Sequence, residues 1–155
     1  MNSLPGRAAF AFLALPGVVA FLVPWLLLDR PFEDRAFHPS GLVLLAPGLV
    51  LLLWCVAAFY FRGRGTLAPW DPPRELVVTG VYGLSRNPMY VAVVMVLCGW
   101  ALGFRARSLV IYAAAVAAAF HLRVVFGEEP WLARQYGNEW IRYKARVPRW
   151  LGIPV

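Results

Sequence analysis

The sequence predicts an all-α integral membrane protein. The expected form is a four-span helical bundle with a cytosolic loop and a C-terminal interfacial helical segment, which together close a polar pocket. Three observations predict it. Of 155 residues, 61% are hydrophobic, where a soluble domain is nearer to about half. The apolar residues lie in long runs and not in periodic stripes, as spans of roughly 20 residues require. The fifteen Lys and Arg residues, against eight acidic ones, sit at the ends of those runs. That is the usual flank of a membrane span and not the basic face of a nucleic-acid binder. One domain covering residues 1–155 is expected.

The first span is expected at about residues 10–28, interrupted by Pro16, Gly17 and Pro24. Membrane helices tolerate such breaks when neighbours re-satisfy the freed carbonyls. No small-residue cleavage site follows it, so it reads as a retained helix and not a signal peptide. Asp29 to Ser40 is a polar connection, and the second span covers about 42–61. Arg62 to Asn87 is too rich in Pro and Gly at its start for a helix, yet Trp70, Leu76, Val77 and Val78 argue against disorder. A loop so long is uncommon unless functional, so it is expected to fold back onto the bundle.

A short third span, about 89–104, and an Ala-rich fourth, about 108–126, suggest a close hairpin, because small residues let helices approach. The remainder, 127–155, alternates aromatics with Arg and Lys and breaks at Gly137, a pattern of interfacial helices. Cys55 and Cys98 fall in apolar runs and read as small filler, while His38 and His121 form no ligand pattern, so no metal is expected.

With the N-terminus inside, eleven Arg and Lys residues lie on the inner side and four (Arg30, Arg35, Arg105 and Arg107) on the outer. Positive-inside bias then puts the long loop, the stretch TGVYGLSRNPMY (Thr79 to Tyr90) and the C-terminal segment together on the cytoplasmic face. Pro88 disfavours helix at Asn87 and suits the first turn of the next helix. Asn87 either caps that helix or contacts a ligand. Glu128 and Glu129 follow directly on the last span. Carboxylates at a membrane boundary call for a cationic partner, either Arg86, Arg123 or Arg134 as a structural ion pair, or a positively charged ligand. Tyr82, Tyr90, Tyr136 and Tyr143 either anchor the interface or offer ring faces to the same cation.

The run GRGTLAPWDPPRELVVTGVYGLSRNPMY, then an apolar hairpin, then EEPWLARQYGNEWIRYKARVPRW, resembles the isoprenylcysteine carboxyl methyltransferase family and related phospholipid methyltransferases. The likeness covers roughly Arg62 to Trp150. It implies an integral membrane methyltransferase that uses S-adenosylmethionine without a Rossmann domain. Carried over by motif position, Thr66, Leu76, Val77, Tyr82, Asn87, Pro88, Met89, Tyr90 and Glu128 are the implied cofactor-binding residues, with Glu128 on the amino group. Arg123, Glu129 and Tyr143 are the candidate catalytic residues. Asn87 stands where the eukaryotic prenylcysteine enzymes have His, Trp140 replaces a Tyr, and their substrate-binding Arg aligns nearest Val124, beside Arg123.

The reading is therefore methyl transfer to a lipophilic or membrane-associated acceptor. The expected setting is multi-pass in a bacterial inner membrane, active site facing the cytoplasm, with membrane lipids and a lipid or small-molecule substrate as partners and no nucleic acid. Phospholipid N-methylation, an NADPH-dependent membrane reductase of sterol-reductase type, and a non-enzymatic membrane scaffold are the alternatives.

Overall fold

A computed structural model describes residues 13–28, 36–58, 61 and 76–152. Every regular element among them is helical. Helix α1 runs over Leu13–Leu22 in wide π winding and continues over Val23–Leu26 in α winding. A 3-10 turn, Pro39–Gly41, leads into α2, Leu42–Ala58. A second 3-10 turn, Gly80–Gly83, precedes α3, Pro88–Phe104. Helix α4, Arg107–Arg123, passes through a π turn, Val124–Glu128, into α5, Glu129–Tyr136. Gly137, at φ +50°, makes the break that the sequence predicts, and α6 follows over Asn138–Arg146.

Among the described residues, two stretches are long and apolar enough to cross a membrane: Pro39–Ala58, 20 residues, and Arg107–Tyr136, 30 residues. Pro16–Leu26 and Pro88–Phe104 are apolar but shorter. Of the four expected spans, length and composition support two. Helix α3 is short because Pro88 opens it and Arg105, in the left-handed region at φ 50°, ends it.

The break at Pro24 in α1 is compensated as expected. Pro24 has no N–H to offer Ala20, four residues back. Instead the indole Nε1–H of Trp100 donates to the Ala20 carbonyl at 3.0 Å. Tyr112 donates to Val19 at 3.1 Å and Ser108 to Leu27 at 3.2 Å, so α3 and α4 together hold α1.

The closest helix contact lies elsewhere than predicted. In the two Ala triplets of α4, Ala113 alone is buried. The tight approach is between α2 and α3, through glycine. A Cβ on Gly99 would fall 2.6 Å from the Leu45 nitrogen, and one on Gly41 2.6 Å from Gly103 Cα. Leu45, Leu52, Val96 and Leu97 fill the core along this seam. Small residues do set the packing, but as single glycines at helical spacing and not as the alanine run.

The long loop, so far as it is described, returns to the bundle. Val77, Val81 and Tyr82 pack on Cys55 and Ala58 at the end of α2. Leu76 packs with Trp140, Tyr143 and Val147 of the C-terminal segment. The N-terminal end of α3 is thereby bracketed by the loop on one side and by α5 and α6 on the other.

Candidate functional site

Tyr90 stands in the first turn of α3, Arg123 at the end of α4, and Glu128 at the end of the π turn. In an α-helix, residues five apart are about 140° apart around the axis. The wide turn instead brings i and i+5 onto one face, and Arg123 Nε donates to Glu128 Oε1 at 2.8 Å. The same Nε–H also reaches the Tyr90 hydroxyl oxygen at 3.1 Å, and the Tyr90 hydroxyl donates to Glu128 Oε1. Phe120 lies against the Tyr90 ring, centroids 4.3 Å apart and 34° tilted. This cluster is partly open: the Arg123 and Glu128 side chains are 52% and 30% exposed.

Glu129, one residue on, faces the other way into a crowd of cations. Arg149 grips it with two bonds, Nε to Oε1 at 2.7 Å and Nη2 to Oε2 at 3.0 Å. Arg86 Nη1 donates to Oε1 at 2.9 Å, and Lys144 Nζ is 3.9 Å from Oε2. The Arg86 and Glu129 side chains are 8% and 10% exposed. Burial lowers the affinity of the Arg86 guanidinium for its proton, and Glu129 opposes that loss. The bond to Glu129 raises Arg149. Trp140 lies beneath Arg86, its ring centroid 5.4 Å from the guanidinium carbon.

Asn87 stands at the N-cap of α3, but its side chain does not cap the helix. Its side-chain amide donates to the Arg149 carbonyl at 3.0 Å, its own N–H goes to Ser85 Oγ at 3.1 Å, and Arg86 N–H donates to the Pro148 carbonyl at 2.9 Å. Residues 147–150 thus lie as a strap across the loop, held at one end by Glu129. Pro88 is buried at the start of α3, and Met89 packs where two core clusters meet.

A third group is buried. The Tyr143 hydroxyl donates to the Tyr82 carbonyl at 2.7 Å, with Leu76 packed against Tyr143 and Val77 against Tyr82. Burial pushes both phenols upward in pKa. Thr66 lies outside the described residues.

The sequence-predicted residues therefore divide into three neighbouring groups. Tyr90, Arg123 and Glu128 meet directly, Asn87 and Glu129 share Arg149, and Tyr82 and Tyr143 are bonded to each other. Ser85 and Phe120 had no sequence signal, since each is placed by a contact across elements. Arg134 pairs with neither glutamate, whereas Arg86 and Arg123 each take one. At the far end of α3, an apolar cavity of about 610 Å³ is lined by Phe21, Trp25, Trp100, Phe104 and their neighbours, and no predicted site residue reaches it.

The model of the phospholipid methyltransferase family matches residues 37–139, about two thirds of the chain. No curated protein and no solved structure matches. The matched region spans α2 to the start of α6 and contains Tyr90, Arg123, Glu128 and Glu129, and a match of this extent establishes kinship: the chain belongs to the phospholipid methyltransferase family of membrane methyltransferases.

Proposed function

We propose that this protein transfers a methyl group from S-adenosylmethionine to a lipophilic or membrane-associated acceptor. The observation that carries the reading is the meeting of Tyr90, Arg123 and Glu128, from three separate segments, at one end of the bundle. The donor's chemistry fits what these residues offer. Glu128 Oε2 has no hydrogen-bond partner among the described residues and suits an ammonium. The neighbouring rings of Tyr90 and Phe120 offer π faces to a sulfonium. Leu76, Val77, Tyr82, Asn87, Pro88 and Met89, with Thr66, complete the proposed cofactor surround.

When bound, S-adenosylmethionine supplies a methyl group already activated on sulfur. What the chain adds is alignment of donor and acceptor and exclusion of water. Arg123, with both Nη groups unbonded among the described residues, orients an acceptor that carries an oxyanion. A carboxylate acceptor needs no base. An amine acceptor gives up a proton, and Glu129 and Tyr143, both engaged by other groups, are poorly placed to take it. Glu129 and Tyr143 then serve by holding the strap and the loop.

The setting belongs to the same proposal: α1 to α4 as four spans of a single domain in a bacterial inner membrane, the site facing the cytoplasm, the acceptor a membrane lipid or lipophilic small molecule entering sideways. Two acceptor classes remain in play for stated reasons. The motif pair resembles that of enzymes acting on a prenylcysteine carboxylate, the matched family takes its description from phospholipids, and the match is compatible with either acceptor. The test is calorimetric titration of detergent-purified, folded protein with S-adenosylhomocysteine and, separately, NADPH. Binding of the former supports the reading. Its absence at millimolar ligand overturns it, and binding of NADPH instead favours a reductase. Radiolabelled methyl transfer to phosphatidylethanolamine or to a farnesylcysteine then assigns the acceptor.

A further inference from the structure

Arg123 poses a question that the proposed cofactor site does not answer. It stands on the carboxylate assigned to a ligand's ammonium. Its Nε–H is shared between Glu128 Oε1 and the Tyr90 oxygen, while its two Nη groups make no hydrogen bond among the described residues. The guanidinium is therefore held by one edge only. A permanent structural pair looks different, and the molecule supplies the example: Arg149 grips Glu129 through two bonds, with Arg86 as a second buried donor. The Arg123–Glu128 pair is open to solvent, half-exposed at Arg123 and about a third exposed at Glu128, and such pairs contribute little to stability.

We propose that Arg123 is a resident counter-ion of Glu128, displaced when a ligand's ammonium takes the carboxylate, and that the displacement frees its guanidinium for an oxyanion. The inference rests on the assignment of Glu128 to the cofactor's amino group. Its physical basis is the π turn. Because Val124–Glu128 is wound wide, Arg123 and Glu128 share a face, and Arg123 can swing off Glu128 about its own side-chain torsions without unwinding α4. One cation replaces another at the same oxygen, so the carboxylate is never left unpaired. Once its Nε–H leaves Glu128 the guanidinium can reorient, and the Nη fork, already unbonded among the described residues, suits a phosphate or carboxylate. Donor and acceptor sites are then coupled through one side chain, and by linkage the coupling is reciprocal.

The test uses full-length protein in detergent, with S-adenosylhomocysteine as the ammonium-bearing probe. 5′-Methylthioadenosine, which has the adenosine but no amino-acid part, is the control. Removing a competing cation strengthens ligand binding, so Arg123→Ala and Arg123→Gln are expected to bind S-adenosylhomocysteine about two- to fivefold more tightly, the range an exposed pair allows. Their affinity for 5′-methylthioadenosine is expected to stay that of wild type. Thermal unfolding of each variant shows that it is folded, and Arg123→Gln keeps the length of the side chain should the alanine variant fail.

A second arm measures dodecyl phosphate and inorganic phosphate with and without S-adenosylhomocysteine. In wild type the nucleoside is expected to strengthen binding of the oxyanion, and in Arg123→Gln it is not. Coupling to dodecyl phosphate alone assigns the oxyanion to a lipid, and coupling to both assigns it to phosphate as such. Unchanged or weaker binding of S-adenosylhomocysteine by both variants overturns the inference, as does an equal shift for 5′-methylthioadenosine. Wild-type protein that binds no S-adenosylhomocysteine overturns the functional reading itself, so the two failures are distinct.

Discussion

Glu128 and Glu129 are adjacent in sequence and opposite in circumstance. Glu129 is buried among Arg86, Arg149 and Lys144, with both oxygens engaged. Glu128 is about a third exposed and holds one guanidinium edge and one phenol, both on Oε1. Successive residues of a helix point about 100° apart, so the two carboxylates leave the backbone toward different neighbours. The lesson concerns saturation. A carboxylate with its partners complete is a fastener, and one with a vacant oxygen at an open edge is available to a ligand.

The largest expected effect comes from unmaking the fastener. Glu129→Ala leaves Arg86 and Arg149 facing each other with no counter-charge, and stranding a buried ion-pair partner costs about 3 kcal/mol or more. Thermal unfolding in detergent should show the loss, with release of the strap from Asn87. If Glu129→Ala unfolds like wild type, the two glutamates are not the opposites described here.

Next comes the ligand side. Glu128→Gln should cost under about 1 kcal/mol of stability, because its ion pair is exposed. Affinity for S-adenosylhomocysteine should fall about tenfold or more, the worth of a charge-assisted hydrogen bond. A variant that loses stability while retaining affinity would invert the comparison.

Much of this was open to a reader of the sequence, and the boundary has physical causes. Pro88 and Gly137 act through backbone rules that need no tertiary context, so the start of α3 and the break before α6 were legible. Apolar runs placed the helices. The neighbours of the glutamates were only half legible: Arg86 and Arg123 were among the expected counter-ions, but which glutamate each takes depends on the π turn. Arg149 has no local signal that ties it to Glu129, yet it holds that carboxylate from twenty residues away. Asn87 reads as a helix cap because local spacing says so, yet a carbonyl from residue 149 competes for its amide and wins. Residues 140–152 lie beyond the family match, and only the structure shows residues 147–150 crossing the loop.

A smaller effect is expected from Arg149→Lys. The substitution keeps the charge and loses the fork that spans both oxygens of Glu129, so stability should fall by about 1 kcal/mol. Since Glu128 is untouched, S-adenosylhomocysteine affinity should change less than in Glu128→Gln. Calorimetry on both variants side by side measures how independent the two carboxylates are.

The smallest effect falls on the third group, which touches neither carboxylate. Tyr143→Phe removes the donor to the buried Tyr82 carbonyl and should cost about 1 kcal/mol. Burial raises the Tyr143 hydroxyl above its ordinary value of 10.0, against a weaker downward pull from Arg86. The unfolded chain therefore releases this proton first, and stability contributed below that pH is lost as pH rises beyond it. Tyr143→Phe should unfold with a shallower alkaline slope, though Tyr82, raised by burial in the same way, keeps part of it. Methyl transfer by the variant, measured at a temperature where it is fully folded, should stay within about twofold of wild type if Tyr143 acts only by holding the loop. A loss of turnover far beyond the loss of stability would move Tyr143 into the chemistry, and the line drawn between fastened and available groups would then have to pass on its other side.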